Sequence, residues 1–453
     1  MRSNTIGLAP RLVAFGLASV LAACSSASPP SLPMTHAFGV GSFQATGAGK
    51  IKHVVYIVQE NRSFDDLFQG YPGADTVSRG KSLTGKMIAL VPISLATEYD
   101  LDHSAQAMFG DCHGTGQLPG TKCRMDGFDK EGVDGGPAGV KYPMYAYVPH
   151  DETKPYFDMA HEWVLADRLF ASQLDESFVA HQYIIAAQAA SSVNVPFGRW
   201  GCAGRSYDSV MTISNLRKVG PKGQPPCFDY QTLGDELDKA RLDWRFYTSS
   251  YGSPSDGALW SGYQAVSHIF NGPDWAKVVT PQKQFLTDVA KGKLAAFTWI
   301  TPLCENSDHS GCGGGHGPSW VTSLVNAVGK SGFWNSTAIF VQWDDWGGLY
   351  DHVPPPYRGY DSLGFRVPLL VISPYAKANY VSHVQYETAS VLRFAEDLFG
   401  LDQLTAADRR ATSPAADCFD FSQKPRKFVP IKAPQGPLFF MAQPYDNRQP
   451  DNG

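Results

Sequence analysis

TAIFVQWDDWGGLYDHVPPP, residues 337–356, is the stretch from which the fold of this chain can be predicted. Its first seven residues, 337–343, are a β-branched and aromatic run without polar periodicity, which is typical of a strand buried on both faces of a parallel sheet. Asp344 and Asp345 follow at once, before the Gly347-Gly348 turn. Because open α/β sheets bind ligands beyond the carboxyl ends of their strands, we predict that both carboxylates are metal ligands.

The same Asp-Asp-x-Gly-Gly sequence could be only a solvated turn, because turns favour Asp and Gly. Trp343 and Trp346 flank the two carboxylates, however, and favour a partly desolvated pocket. Neighbouring anions in such a pocket repel each other and raise each other's pKa unless a cation holds them. The metal interpretation is therefore the better one.

A second apolar run, IKHVVYIV at residues 51–58, predicts another core strand, and Glu60 and Asn61 come just after it. Asn61 could be only a turn or helix cap, and Glu60 an exposed strand end. Two strand ends that both carry oxygen ligands favour a convergent site instead. Together with Asp344 and Asp345 they form a hard, oxygen-rich set suited to one divalent metal ion of unknown identity.

The overall composition excludes two classes of protein. The chain has 453 residues, of which 12% are aromatic and 18% charged, so it is long enough to bury a large core and is not a disordered chain. Its net charge of −5 provides no basic surface for nucleic acid. We therefore expect a globular protein that does not bind nucleic acid.

Residues 1–24 predict an export signal. Arg2 and Arg11 precede an apolar stretch, 12–23, which has the length of a signal-peptide core and is too short to span a bilayer. The sequence Leu-Ala-Ala-Cys that ends at Cys24 resembles the bacterial lipobox, although an ordinary signal peptide is the alternative. We expect lipidated Cys24 to anchor the chain in the cell envelope, at the outer membrane or the periplasmic face, with residues 25–50 as a flexible tether; secretion is the alternative.

Export implies an oxidising compartment, in which cysteines form disulfides. Pairing of near neighbours in the sequence would leave Cys418 over and would give the pairs Cys112–Cys123, Cys202–Cys227 and Cys304–Cys312. Zinc bound by Cys304, His309, Cys312 and His316 is an alternative, but the chain has no CxxC spacing. Disulfides are the expectation.

Several longer motifs resemble one known family, the bacterial acid phosphatase and phospholipase C phosphoesterases. They are ENRSFDDLF at 60–68, MDGF at 125–128, WVLADRLFAS at 163–172, QWDDWGGLYDHVPPP at 342–356, FRVPLLVISPYAK at 365–377 and DCFDFS at 417–422. The resemblance implies an α/β fold of the alkaline phosphatase-like superfamily, a three-layer α/β/α sandwich with a mostly parallel central sheet. We expect a single catalytic domain over residues 51–453, with insertion loops around 196–290 that shape the pocket.

Ser177 precedes a run, Phe178 to Ala190, with the apolar pattern of a helix. It could be only the N-cap of that helix. The family resemblance implies instead that Ser177 is the nucleophile and also contacts the metal, while the helix N-terminus binds the phosphoryl oxygens. The sequence SFVAHQY at 177–183 departs from the TxPNR pattern of the phospholipases, which weakens any inference about choline lipids.

Four histidines are candidates for the site. His309 matches the SDH of the family and His103, in DLDHS, fits an upstream active-site histidine; both would stabilise the equatorial oxygens or protonate the leaving alcohol. His316, in a glycine-rich loop, is a weaker candidate for substrate binding. His352 belongs to the DHVPPP match and is either catalytic or a group that orients Asp351.

These residues predict a metal-dependent phosphoric ester hydrolase with a phosphoserine intermediate. An acid phosphatase is favoured because the nucleophile is Ser and the chain ends soon after residue 422. A phospholipase C that cleaves phospholipid headgroups is the alternative. A lipid-anchored protein that only binds ligand is a further one, which the intact site residues disfavour. A serine hydrolase of carboxyl esters is also disfavoured, because the chain has no GxSxG motif.

Overall fold

A computed structural model describes residues 46–174, 176–204, 206–220, 223–249 and 260–444. The predicted signal peptide and residues 25–45 of the predicted tether lie outside these ranges. Within them, no helix has the length and the apolar character needed to cross a membrane.

The strands and helices are numbered in chain order. The strands are β1 His53–Gln59, β2 Arg79–Lys81, β3 Met87–Ala89, β4 Val91–Pro92, β5 Tyr99–Leu101, β6 Val133–Gly135, β7 Ala146–Tyr147, β8 Val164–Ser172, β9 Ser192–Phe197, β10 Ser209–Thr212, β11 Trp244–Tyr247, β12 Val278–Val279, β13 Phe297–Ile300, β14 Thr337–Trp343, β15 Leu363–Ile372, β16 Tyr380–Ser382 and β17 Tyr386–Glu387. The helices are α1 Phe64–Leu67, α2 Ala105–Cys112, α3 Lys154–Glu162, α4 Ser177–Ala186, α5 Leu233–Lys239, α6 Ser267–Phe270, α7 Gln284–Ala290, α8 Gly317–Gly329, α9 Ala389–Phe399, α10 Ala406–Arg410 and α11 Pro437–Ala442.

The central sheet has the strand order β12-β11-β13-β1-β14-β15-β8-β16, with β17 also paired to β8. Every pairing in it is parallel except those that β15 makes with β14 and β8. All of these strands except β15 therefore run in one direction, so their carboxyl ends meet at one edge. The expected α/β fold with a mostly parallel sheet is confirmed.

Helices cover both faces of this sheet. Phe340 of β14 packs on Phe394 of α9, whereas Trp343, three residues later and so on the opposite face, packs on Tyr156 of α3. Helix α8 contacts α3, α7 and β14, and α4 contacts α9 and β8. Every residue of β14 is buried, and so is all of β1 except its first residue, as strands covered on both faces should be.

The predicted elements lie close to the observed ones. Strand 337–343 is confirmed to the residue, and the run 51–58 is β1. The helix expected from Phe178 begins one residue earlier, so Ser177 is its first residue and Glu176 its N-cap. It ends at Ala186 because Ala187 takes a left-handed backbone conformation, so the predicted extension to residue 190 is wrong.

The predicted disulfides are confirmed at all three positions, Cys112–Cys123, Cys202–Cys227 and Cys304–Cys312. Cys418 is a buried free thiol. The zinc alternative is wrong, because both of its cysteines are consumed in one disulfide. The region 196–290 holds more than loops, since β11 and β12 within it extend the central sheet.

Candidate active site

The register of two central strands builds the site. Gln59 of β1 pairs with Trp343 of β14, so the residues that follow them leave the sheet side by side. The backbone N–H of Asn61 then donates to Asp344 Oδ1 at 2.9 Å. The two strand ends predicted to converge therefore do so.

The glycine turn after Asp345 makes this approach sterically feasible. Gly347 has a φ of +57°, and a Cβ atom at this position would lie 2.5 Å from the carbonyl oxygen of Asn61. Any larger residue would push the two strand ends apart. The Asp-Asp-x-Gly-Gly sequence is thus a turn, as the solvated-turn alternative held. It is completely buried, however, and carries both carboxylates.

Ser177 reaches the same point from the other side. Its Oγ donates to Asn61 Oδ1 at 3.3 Å, from the first position of α4. Ser177, Asn61 and Asp344 are thereby joined in one hydrogen-bonded chain, and all three are fully buried.

His181 is a site residue that the sequence analysis missed. Its Nε2 lies 3.1 and 3.2 Å from the two carboxylate oxygens of Glu60 and 3.5 Å from Asp344 Oδ2. These three side chains could hold a metal ion between them. Its spacing from Ser177 could have identified it in the sequence. Residues four apart on a helix share one face, and Ser177 was already a candidate.

Asp345 follows on the same turn and is also completely buried. Its Oδ1 accepts the N–H of Gly347 at 2.7 Å, a bond that fixes the carboxylate against its own turn. The group of potential ligand atoms around His181 consists of Glu60 and Asp344 and does not include Asp345. Its role as a ligand stays a prediction.

The charge at this site fits a divalent cation. Burial raises the pKa of Asp344, but its contacts with the ring of His181, with Glu60 and with the N–H of Asn61 outweigh it and leave the pKa below its usual value. Apart from His181 Nε2 at 3.5 Å, Asp344 Oδ2 has no hydrogen-bond partner within the described part of the chain. Buried carboxylates with an oxygen left over are what a hard metal ion requires.

His103 contacts the site through Asn61. Its Nδ1 lies 2.7 Å from the carbonyl oxygen of Leu101. Because a carbonyl oxygen can only accept, Nδ1 carries the ring proton, and Nε2 accepts from Asn61 Nδ2 at 3.0 Å. This contact turns Asn61 Oδ1 toward Ser177. The contacts support a role in holding Asn61, whereas the predicted cationic role would need a proton on Nε2.

His309 lies nearby, with its ring centroid 6.2 Å from that of His103 and 6.1 Å from that of Trp260. Its Nδ1 accepts the N–H of Gly311 at 2.9 Å, so a neutral ring carries its proton on Nε2. Burial raises the pKa of the adjacent Asp308 to about 6, although hydrogen bonds from Tyr156 and Trp343 oppose the shift.

His352 belongs to a different cluster. Its Nδ1 lies 2.6 Å from Asp65 Oδ2 and its Nε2 3.1 Å from Asp75 Oδ1. Arg366 donates to both oxygens of Asp351, whereas His352 hydrogen-bonds to the carboxylates of Asp65 and Asp75, so the alternative in which His352 orients Asp351 stays a prediction. No described contact joins His352 to Ser177 or Asp344, and its predicted catalytic role lacks structural support.

His316 is the N-cap residue of α8, and its ring packs edge-on against Phe439 of α11, with centroids 5.0 Å apart. No described contact joins it to the nucleophile or the carboxylates. Its predicted substrate-binding role is likewise without support from the geometry.

A cavity of about 1260 Å³ opens beside the site, between the β5–β6 and β9–β10 ribbons. Its wall includes Glu176, Leu101 and Gly311, the immediate neighbours or contacts of Ser177, His103 and His309. Its lining is acidic, with no Lys or Arg among the described residues, and its carboxylates belong to Glu98, Asp100, Asp102, Asp134 and Glu176.

A model of the Phosphoesterase family matches residues 51–402. Non-specific phospholipase C1 of Arabidopsis thaliana is 25% identical, over 85% of this chain and 74% of the relative. Phospholipase C A of Mycobacterium tuberculosis is 22% identical, over 84% of this chain and 79% of the relative.

Among solved structures, the chain resembles an alkaline phosphatase superfamily protein from Vibrio parahaemolyticus, with a TM-score of 0.35 and 10% identity over 83% of this chain and 71% of that one. It also resembles the PsFucS1 sulfatase from Pseudoalteromonas sp., with a TM-score of 0.41 and 9% identity over 85% of this chain and 76% of that one.

Proposed function

Because this chain belongs to the Phosphoesterase family, we propose that it hydrolyses phosphoric esters through attack of Ser177 on phosphorus, with a bound divalent cation. The family supports the hydrolysis of phosphoric esters as such. The observation that carries the proposed site is the hydrogen-bonded chain from Ser177 through Asn61 to Asp344, three residues far apart in the sequence.

Glu60 and Asp344 would hold the ion, with Asn61 Oδ1 and Ser177 Oγ beside them and Asp345 on the same turn. A divalent cation in such a place supplies positive charge, which lowers the pKa of an alcohol and holds a phosphoryl oxygen. The fit rests on the buried, oxygen-rich donor set and on Asp344 Oδ2, which has no hydrogen-bond partner among described residues other than the distant Nε2 of His181.

The residues of the chain position the reacting groups. Asn61 Oδ1 accepts from Ser177 Oγ and fixes its direction, and His103 holds the amide of Asn61 in that orientation. The N-terminus of α4 presents backbone amides and the positive end of the helix dipole to the phosphoryl oxygens. Ser177 Oγ loses its proton to solvent and bonds to phosphorus as the bond between phosphorus and the alcohol oxygen breaks. Water then attacks phosphorus, releases phosphate or the phosphate ester, and returns a proton to Ser177.

His309 is proposed as the group that donates a hydrogen bond from Nε2 to the oxygen of the departing alcohol, which takes its proton from solvent. Its proton lies on Nε2, because Nδ1 accepts the N–H of Gly311. The ring is buried beside His103 and near the cavity wall, where a leaving group would lie. A donor in this position stabilises the negative charge that develops on the leaving oxygen.

The charge of the cavity favours one class of ester. A phosphate monoester dianion would face five carboxylates, whereas a diester that carries a cationic headgroup would be attracted to them. Phe197 and Val133, two exposed apolar residues in the cavity wall, suit a lipid. Our first candidate is therefore a phospholipase C activity on phospholipids with cationic headgroups. The names of the relatives agree with the phospholipase C activity.

The acid phosphatase predicted from the sequence is the second candidate, supported by the Ser nucleophile. The two are separated by comparing para-nitrophenylphosphocholine with para-nitrophenyl phosphate as substrates. Faster turnover of the choline diester supports the first, and faster turnover of the monoester supports the second. Ser177→Ala should abolish both, whereas Ser323→Ala, which removes another buried hydroxyl from helix α8, should leave them unchanged.

Export and anchoring through Cys24 are also proposed. The three disulfides support an oxidising compartment. Labelled palmitate should be incorporated into the wild-type chain and not into Cys24→Ala.

A further inference from the structure

His181 lies in the centre of the proposed metal site but has no role in the steps above. Only 1% of its surface is exposed, and it lies one helical turn after Ser177 on α4. Its Nε2 contacts both oxygens of Glu60 and lies close to Asp344. By position alone, the imidazole could be a metal ligand or a hydrogen-bond donor to the carboxylates.

The other ring nitrogen distinguishes these two roles. Nδ1 of His181 is buried and has no hydrogen-bond partner within the described ranges. A histidine that binds a metal through Nε2 carries its proton on Nδ1, and that N–H is almost always donated to a carboxylate, a carbonyl or water. Here it would be a buried donor without an acceptor. A proton on Nε2 instead meets two carboxylates and leaves Nδ1 as a bare acceptor.

The charge around Glu60 leads to the same assignment. Arg62, the nearest arginine in the sequence, is turned away: its Nε donates to the carbonyl oxygen of Asp308 and its Nη1 to Asp66. The carboxylates of Glu60 and Asp344 are completely buried and would repel each other. A donor shared between them fixes their separation, whatever else binds to their remaining lone pairs.

We propose that His181 is a positioning residue of the metal site, which donates from Nε2 to Glu60 and Asp344 and does not itself coordinate the ion. This rests on the proposed function in so far as it assumes that these carboxylates bind a divalent cation. Because Ser177 and His181 share one face of α4, the same helix sets the nucleophile and aligns the carboxylates.

The test compares His181→Gln with His181→Leu in the full chain, stripped of metal and titrated with Co²⁺. The amide nitrogen of Gln can take the place of Nε2 and donate, but it is a poor ligand; Leu can do neither. We expect the Gln variant to bind Co²⁺ within about threefold of wild type and with an unchanged visible absorption band. The Leu variant should bind roughly 10- to 100-fold more weakly, the usual loss when a group that orients metal ligands is removed.

Equal loss in both variants, with a band that shifts from wild type to Gln, would make His181 a ligand and overturn the proposal. Wild-type affinity in the Leu variant would overturn it as well. If the Leu variant does not fold, His181→Asn replaces it, because the shorter amide cannot reach both carboxylates. A wild-type protein that binds Co²⁺ with this order of affinities but cleaves no phosphate ester would refute the proposed function alone.

Discussion

Two buried clusters of acidic and histidine side chains in this molecule look alike as metal sites but differ in their charge. The first, Glu60 with His181 and Asp344, and the second, Asp65 with Asp351 and His352, each bring three potential ligand atoms within 4.8 Å of one another. Among the described residues, a guanidinium, that of Arg366, is built into the second cluster alone. The spacing of ligand atoms therefore does not distinguish a metal site from an ion-pair network, whereas the charge balance does.

Arg366 makes the second cluster self-sufficient. It is completely buried; its Nε lies 3.1 Å from both oxygens of Asp351, and its Nη2 lies 3.0 Å from Asp351 Oδ2. It also donates to the carbonyl oxygens of Asp75 and Asp167 and lies over the ring of Phe64. The positive charge of this cluster is thus supplied by an arginine side chain. The cluster ties the DHVPPP segment to α1 and β8.

The largest expected effect is in the first cluster. Asp344→Asn should lower Mn²⁺ affinity and reduce kcat for the preferred phosphate ester by at least about 10³-fold, because the neutral amide weakens the site on which transition-state charge is stabilised. Metal content and turnover of the purified variant measure this. Asp351→Asn is the matched change in the second cluster, and its folded molecules should still bind metal. Equal metal affinity in Asp344→Asn and wild type would remove the distinction between the clusters.

The second cluster should matter for stability instead. Arg366→Leu leaves Asp65 and Asp351 buried without their cation, and breaking a buried pair in this way costs about 3–5 kcal/mol. Urea unfolding of the metal-free protein measures the loss. Arg168→Leu is the control, because its pair with Asp75 is more than one-third exposed and is worth at most about 1 kcal/mol. Equal losses in the two variants would contradict the assignment.

A smaller effect is expected in the pH dependence of stability. Burial lowers the pKa of His352, but the hydrogen bond to Asp65 and the charges of Asp65 and Asp351 outweigh it and raise the pKa above its ordinary value. The folded protein then binds this proton more tightly than the unfolded chain. The stabilisation is complete below the unfolded pKa of about 6.5 and is lost as the pH rises through the folded pKa.

His352→Gln should therefore remove a fall in the free energy of unfolding that wild type shows above that pH. Denaturant unfolding at a series of pH values measures it. Burial raises the pKa of Asp351 to about 6. The free energy of unfolding should therefore also fall as the pH rises from the unfolded pKa of about 3.9 toward 6, and both proteins should share this fall. A wild-type profile that stays flat above pH 6.5 would show that His352 gains nothing from Asp65.

Much of the difference between the two clusters could not be predicted from the sequence. The strands β1 and β14 were readable because continuous apolar runs need no partner to be recognised, and the residues after them followed from the geometry of parallel sheets. Local disulfides followed from spacing. Arg366 lies within a motif that matched the family, yet its contact with Asp351 depends on the antiparallel strand β15, which no periodicity revealed.

The histidines show the same limit. His181 lies within SFVAHQY, the segment that departs from the TxPNR pattern, and only the tertiary contact between α4 and the residue after β1 brings it to Glu60. His352 lies in a matched motif and His316 in a glycine-rich loop, but neither pattern gives the direction of the ring. Loop histidines could therefore be proposed from the sequence but not sorted into catalytic and structural ones.

The smallest expected effect tests this sorting. His316→Ala should leave kcat/KM within about twofold of wild type and stability within roughly 0.5 kcal/mol, because the ring is half-buried against Phe439 and its Nδ1 has no partner among the described residues. His309→Ala, the matched change near the nucleophile, should cost about 10²- to 10³-fold in kcat, as the loss of one hydrogen-bond donor to developing negative charge does. If His316→Ala instead lowers kcat/KM more than tenfold at unchanged stability, His316 binds substrate as the glycine-rich loop suggested. Contacts within the folded chain would then be a poor guide to the groups that act only when substrate is present.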